Sequence, residues 1–306
     1  MNWKKRIVSL ALAAVIGLST FLASGVDAEA AGAIAKGIDV SKYQGAINWS
    51  AVAAEGYSFA FIKVGSAKSG LDPYFAANMV GANAAGLKTG VYLYSYATTV
   101  EAAMAEAQFT LAAIAPFTVS MPVVFDLEDA VHKTMTPEQL QALTVVFCSI
   151  IQSAGYQPMV YSSKNWLTQR VGPIPFDVWV AQYAEACEYP NPAFWQFSNS
   201  GTVSGIDGRV DLNFQFKDYS NIIIPYGFTT RGGNTYFYNN YRMQYGWVDY
   251  EGNRYFMNAD GTLYPNGWLT DGVNTFYMDT KDGHMLHDLV NIQGKNYYFD
   301  VNGFMQ

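Results

Sequence analysis

Val123-Val124-Phe125-Asp126-Leu127-Glu128 is a run of β-forming apolar residues that ends in two carboxylates two positions apart. Strand side chains repeat with a period of two, so Asp126 and Glu128 point to the same face. A rise of about 3.3 Å per residue places them about 7 Å apart along it. That lies within the rough range of carboxyl separations used to cleave glycosidic bonds. Such cleavage needs one acid protonated while its neighbour stays charged. An apolar strand running into an acidic loop gives the same pattern without any chemistry, so the surrounding chain decides the meaning.

On either side of this stretch, from Gly37 to Phe216, apolar strands alternate with helical stretches. Strands are expected at Gly37 to Val40, Ser58 to Val64, Lys88 to Tyr96, Ser120 to Glu128 and Gln157 to Tyr161. Asp72-Pro73 reads as a helix start with Asp72 as N-cap, and Gly86 as its C-terminal stop. Thr98 with Glu101 reads as a capping box for an alanine-rich helix ending before Pro116. Thr136-Pro137-Glu138-Gln139 caps the next, whose stripe Leu140, Leu143, Phe147, Ile150, Ile151 and Ala154 keeps helical spacing. Asp177 to Tyr183, Ala193 to Phe197 and Val210 to Phe216 then follow with little between them. Eight strands, the first five alternating with helices, point to an α/β fold, a barrel variant rather than an open two-sided sheet.

The first residues, Met1-Asn2-Trp3-Lys4-Lys5-Arg6, precede an apolar run from Ile7 to Leu22 and an Ala28-Glu29-Ala30 site. A basic start, short apolar core and small-residue site describe a secretory signal peptide over 1–30, hence a secreted protein. No later stretch approaches the roughly 18 apolar residues of a membrane span. Without residues 1–30 the chain carries 15 basic and 23 acidic residues, a net charge of −8. That argues against nucleic acid, where Lys and Arg must neutralise phosphates. An oxidising compartment permits a bridge between Cys148 and Cys187, and two cysteines can equally remain small core fillers.

Beyond Phe216 the composition changes. Residues 217–233 read as a linker, and 234–306 as a repeat. Tyr236-Phe237-Tyr238, Tyr255-Phe256-Met257, Phe276-Tyr277-Met278 and Tyr297-Tyr298-Phe299 start 19, 21 and 21 residues apart. Gly246-Trp247 and Gly267-Trp268 stand between them, with Asp260-Gly261, Asp282-Gly283 and Asn302-Gly303 as turns. Each unit reads as a small β-hairpin that cannot bury its aromatic face alone, so a solenoid-like stack is expected.

Other chemistries lack residues. Of the three histidines, His132, His284 and His287, only His132 lies before the repeats, and no serine or cysteine near it has a recognisable nucleophile context. No His, Cys and carboxylate set suggests zinc, and no glycine-rich loop has dinucleotide or P-loop spacing, so neither metal nor cofactor is expected. Carboxylates remain: Asp39 ends the first strand, Asp126 and Glu128 the fourth, and Asp211 lies on the last. In a closed barrel these strand ends converge on one mouth. Acids in one pocket push their pKa values apart, leaving one protonated near neutral pH. Tyr94, Tyr96, Tyr161, Trp179, Tyr183 and Trp195 can line a groove there with flat apolar faces and polar tips.

Gly37-Ile38-Asp39-Val40-Ser41-Lys42-Tyr43-Gln44-Gly45, Phe61-Ile62-Lys63-Val64-Gly65, Gly90-Val91-Tyr92, Asp126-Leu127-Glu128, Tyr161-Ser162-Ser163, Trp195-Gln196-Phe197-Ser198 and Val210-Asp211-Leu212-Asn213 resemble, in order, the family 25 glycoside hydrolases, over residues 34–216. The resemblance implies a flattened barrel of five strand-helix units plus three closing strands. It implies a lysozyme that cuts the β-1,4 bond between N-acetylmuramic acid and N-acetylglucosamine, with Glu128 as general acid and Asp39, Asp126 and Asp211 around it. Retention through an aspartate or through the substrate's N-acetyl group both stay open, with substrate assistance by Asp126 preferred. A chitinase-like enzyme, or an inactive wall-binding barrel, are the rival readings.

The C-terminal units look like cell-wall-binding repeats related to choline-binding modules, with Trp247, Trp268, Tyr255, Tyr277 and Tyr298 as candidate contacts to peptidoglycan or another wall polymer. The strand motif lacks the tryptophan usual in choline sites, and Asp288-Leu289 stands where Gly267-Trp268 stood 21 residues earlier. A quaternary ammonium needs an aromatic cage, so choline is disfavoured. Oligomeric state is not legible in the chain.

Overall fold

Strand alternation decides the architecture of this computed structural model, which describes residues 32–306; the expected signal peptide lies outside the described residues. The strands are β1 (Ala35–Val40), β2 (Phe59–Ser66), a two-residue β3 (Gly70–Leu71), β4 (Lys88–Tyr94), β5 (Val123–Asp126), β6 (Pro158–Ser163), β7 (Asp177–Ala181), β8 (Phe194–Gly201) and β9 (Val210–Gln215). All but β3 close into a barrel. Neighbours from β1 through β8 pair in parallel, and antiparallel β9 bridges β8 back to β1. Helices α1 (Trp49–Ala54), α2 (Phe75–Ala84), α3 (Val100–Ile114), α4 (Pro137–Ser153) and the short α5 (Lys164–Trp166) follow β1, β2, β4, β5 and β6. The five strand-helix units with three closing strands are as expected.

Two apolar layers follow from the period of two. Ile38, Ala60, Ile62, Val91, Leu93, Phe125 and Val160 face outward, against the stripe Leu140, Leu143, Phe147 and Ile151 of α4 and its fellow helices. Phe59, Phe61, Val124, Met159, Trp179 and Phe194 face inward and fill the barrel. The interior is tight because Gly37 and Gly90 lie against the rings of Phe59 and Phe61, where any Cβ would overlap them.

Helix ends depart from expectation at two places. The capping box of α4 forms, with Thr136 Oγ1 accepting from Gln139 N and Gln139 Oε1 accepting from Thr136 N at 2.9 Å. The cap of α3 is Thr99, not Thr98: its hydroxyl accepts from Ala102 N at 3.2 Å. Asp72 does not cap α2 either. Its two oxygens accept from Tyr74 N and from Lys42 N, tying the β3 turn to the segment after β1.

The linker expected over 217–233 is largely ordered structure. Tyr219 is buried against Phe194, its hydroxyl and Lys217 both bond Asp177, and Tyr226–Arg231 is a strand paired with Asn234–Asn239. Three further hairpins follow, pairing 246–250 with 253–257, 267–270 with 275–278 and 288–292 with 295–299. The tail of each reaches back to an earlier unit: Leu263, Met285 and Met305 donate backbone N–H bonds to the carbonyls of Thr235, Arg254 and Thr275 at 2.7, 2.7 and 2.9 Å. Aromatic residues join the stack, Trp247 lying 4.8 Å from Phe276 and Trp268 5.0 Å from Tyr297. Cys148 and Cys187 are separate free thiols, the former buried in α4.

Candidate active site

At the C-terminal ends of the parallel strands lies a cleft of about 550 Å³, lined by Asp39, Lys63, Tyr92, Tyr94, Tyr96, Asp126, Glu128, Tyr161, Trp179, Gln196 and Asp211 among others. All four expected acids are in it. β5 ends at Asp126, two residues earlier than expected, yet Leu127 N still donates to Tyr161 O at 2.9 Å. That bond prolongs the alternation, so Leu127 turns into the outer core while Asp126 and Glu128 share the cleft.

The acids sit in unequal surroundings. Asp126 is 3% exposed and its Oδ1 has no hydrogen-bond partner. Burial, then the Glu128 charge, push its pKa well above the ordinary value, against the pull of the Lys63 ammonium. Glu128 is only half-buried, and burial raises it too, again opposed by Lys63 and reinforced by Asp211 and Asp129. Desolvation favours the neutral form of any carboxyl. Lys63 is the cation that acts against protonation of both.

Asp39 and Asp211 are register partners across β1 and β9. Gln196 Nε2 donates to both, at 2.9 and 3.3 Å, and Asn213 Nδ2 donates to Asp39 at 2.8 Å. Burial and the Asp211 charge still raise Asp39, and burial raises Asp211. Gln196 also accepts from the hydroxyls of Tyr161 and Tyr183, each at 2.9 Å. One amide thus fixes two acids and two tyrosines.

Of the six aromatic candidates, Tyr94, Tyr96, Tyr161 and Trp179 line the cleft. Tyr183 reaches it through Gln196 and is 55% exposed at the rim. Trp195 does not belong to it. As the chain neighbour of inward Gln196 it must point outward, where it packs with Leu167, Val178 and Val180 and donates from Nε1 to Gln182 O at 2.7 Å. Sequence reasoning missed Lys63, Tyr92, Gln196 and Asn213 as site residues. The signal for Lys63 is its parity: Phe59, Phe61 and Lys63 alternate inward, and Lys63 is the sole charge in β2. Glu106 was missed as well; from α3 it accepts from Tyr96 N at 2.8 Å and from Ser95 Oγ at 2.7 Å, holding the Tyr96 segment.

His132 lies outside the lining, buried, with Nε2 2.9 Å from Ala97 O. In the repeats, the wall-binding candidates fall on two faces. Trp247, Trp268, Tyr277 and Tyr298 occupy one side of their hairpins, whereas Tyr255 pairs with Val248 on the other and is 8% exposed. Asp279, Asp282 and His284 bring ligand-type atoms within 4.8 Å on an exposed turn, where Asp282 Oδ1 is already engaged by His284 Nδ1 at 2.6 Å.

Residues 38–206 match the model of Glycosyl hydrolases family 25. Lysozyme M1 of Streptomyces globisporus is 29% identical over 198 residues, covering 58% of this chain and 66% of that protein. The bacterial lysozyme of Streptomyces coelicolor superposes with a TM-score of 0.51 at 26% identity, over 60% of this chain and 93% of that one. The modular autolysin LytC of Streptococcus pneumoniae, also solved in complex with a synthetic peptidoglycan ligand, gives 0.53 at 29% identity over 59% of this chain and 46% of its own. With a closed barrel of the same kind and a matching stretch that takes in more than half of its length, the chain belongs to glycosyl hydrolases family 25.

Proposed function

We propose that this protein is a secreted peptidoglycan hydrolase that cleaves the β-1,4 bond between N-acetylmuramic acid and N-acetylglucosamine. The carrying observation is the pairing of half-buried Glu128 with fully buried Asp126, whose Oδ1 lacks a partner, in a cleft walled by Tyr94, Tyr96, Tyr161 and Trp179. A raised pKa keeps a carboxyl protonated where a general acid is needed. Glu128 gives its proton to the glycosidic oxygen as the bond to the sugar's anomeric carbon breaks. The substrate's acetamido oxygen bonds to that carbon, and the acetamido N–H donates to Asp126 Oδ1. Asp126, as the carboxylate, accepts that hydrogen bond and offsets the positive charge that develops on the acetamido group. Glu128, now a carboxylate, takes a proton from water, whose oxygen attacks the anomeric carbon and opens the intermediate with retention. Lys63 offsets the accumulated negative charge of the acids.

The likeness to Lysozyme M1, and the peptidoglycan ligand with which LytC was solved, support this choice of substrate. The repeats are assigned to holding the wall, with the barrel ending near residue 216 and the hairpin module running to 306. The test is reducing-end analysis of digested walls. N-acetylmuramic acid at the new reducing end is the expected product, and N-acetylglucosamine there overturns the assignment in favour of a chitinase-like activity. Glu128→Gln should lower turnover by about 10²–10⁴-fold, the range of general acid catalysis, while sedimentation with walls survives. Near-native turnover in that variant overturns the role of Glu128.

A further inference from the structure

The cleft has a second wall, across the mouth from Glu128. Around the closed barrel β4 and β2 separate β5 from β1 on one side, and β6, β7 and β8 separate it from β9 on the other, so the mouth of β1 and β9 lies opposite the end of β5. The lining there is Tyr43 and Gln44 from the segment after β1, Asn199 from β8 and Arg209 just before β9. Tyr43 lines the cleft and is nevertheless 79% exposed. Single exposed aromatics are ordinary on a protein surface. What distinguishes this one is the way its backbone is held. Lys42–Gln44 is one turn of 3₁₀ helix closed by a capping box, in which Ser41 N donates to Gln44 Oε1 at 2.9 Å and Ser41 Oγ accepts from Tyr43 N at 3.4 Å. Lys42 N donates to Asp72 Oδ2 at 2.8 Å, and Gln44 Nε2 donates to Arg209 O at 3.1 Å. The turn is thereby tied to the β3 turn on one side and to the lead-in of β9 on the other. Gly45, at a φ of 61°, then ends it in a conformation that favours glycine.

We propose that Tyr43 is a stacking platform for a sugar of the glycan strand beyond the two that flank the scissile bond, so that the barrel prefers long strands to short fragments. The proposal rests on the reading of the barrel as a peptidoglycan hydrolase. The two flanking sugars meet Glu128, Asp126 and the tyrosines of the opposite wall, whereas a strand that crosses the mouth meets Tyr43 as it leaves. A phenol ring offers a flat apolar face to the C–H face of a sugar and a hydroxyl to its polar edge. Because the polar groups of Ser41 to Gln44 already fix the backbone, little ordering remains to be done when a sugar docks, and a preorganised contact keeps most of its stacking energy. Binding energy from a sugar remote from the reacting bond shows itself in kcat/KM on substrates long enough to reach it.

The test compares the parent protein with Tyr43→Ala on soluble strands of alternating N-acetylglucosamine and N-acetylmuramic acid, from the shortest that is cleaved to strands several units longer. In the parent, kcat/KM should rise with strand length. In Tyr43→Ala the ratio of kcat/KM on long to short strands should fall about threefold to tenfold, the range of one aromatic stacking contact. Tyr43→Phe keeps the ring and should keep the ratio. A ratio in Tyr43→Ala equal to that of the parent overturns the platform. So does an equal fall at every length, which would assign Tyr43 to the structure of the turn, and so does a parent with no length dependence. A parent that releases no reducing ends from any strand overturns the hydrolase reading, and the platform with it.

Discussion

At Lys63 a single ammonium opposes the burial that raises the two cleft acids. It faces Asp126 and Glu128, lies 4.5 Å from the centre of the Tyr94 ring, and is placed just before the irregularity where β2 slips its register against β4. Burial raises both acids and Lys63 lowers both. Replacing it with a neutral side chain of similar length, Lys63→Met, removes the lowering influence, so both acids hold their protons to higher pH. The general acid must be protonated, so the alkaline limb of kcat/KM should move to higher pH, and the acid limb with it. A pH–rate profile checks this, and unchanged limbs would show that the ammonium does not act on the pair. The acids themselves were legible in the chain because Asp39, Asp126 and Glu128 come at the end of a strand and Asp211 at the start of the last, each within a recognisable motif. Lys63 was not, since a lysine in a strand reads as an edge or surface residue until its parity with Phe59 and Phe61 is followed inward. Trp195 failed for the opposite reason: proximity to Gln196 in sequence puts it on the opposite face of β8.

Among the elements, the strands were more legible than their caps. Apolar runs of β-branched and aromatic residues located every barrel strand, because burial on both faces leaves little room for polar residues. The caps of α2 and α3 were misplaced because Asp72 is drawn off by Lys42 N, and Thr98 and Thr99 offer the same hydroxyl one residue apart. Least legible was the tight fit inside the barrel. Gly90 in β4 reads as a weak point in a strand, yet it faces the Phe61 ring and the Pro122 carbonyl at closest approach. Gly90→Ala forces that ring or the strand to move, a strain of about 1–3 kcal/mol. Urea denaturation should show the midpoint falling with the slope unchanged, and stability within experimental error of the parent would mean the interior has slack.

For the whole molecule, the question is how the cleft and the module proposed to hold the wall act on one polymer. The first hairpin unit is seated on the C-terminal end of α4: the Arg242 guanidinium donates to Ala154 O at 3.1 and 3.2 Å, Met243 N to Gly155 O at 2.9 Å and Tyr245 Oη to Gln152 O at 2.7 Å. Helix C-termini leave carbonyls without intrahelical partners, and here the neighbouring module supplies donors. Gly155 lies so close to the Met243 backbone that no Cβ fits between them. None of this was visible in the chain, where 217–233 reads as a linker, because the contacts join residues about 90 apart. If the module holds the wall as proposed, its seat fixes the offset of the polymer from Glu128, whereas a tethered module would sample many. Arg242→Ala with Tyr245→Phe removes three of these bonds, at a cost of about 0.5–1.5 kcal/mol each. Hydrolysis of soluble fragments, which needs only the cleft, should be unchanged, while release of product from intact walls should fall several-fold. An equal fall on both substrates would mean that the seat serves the stability of α4 alone, and no fall on either would mean that the offset between the modules does not matter.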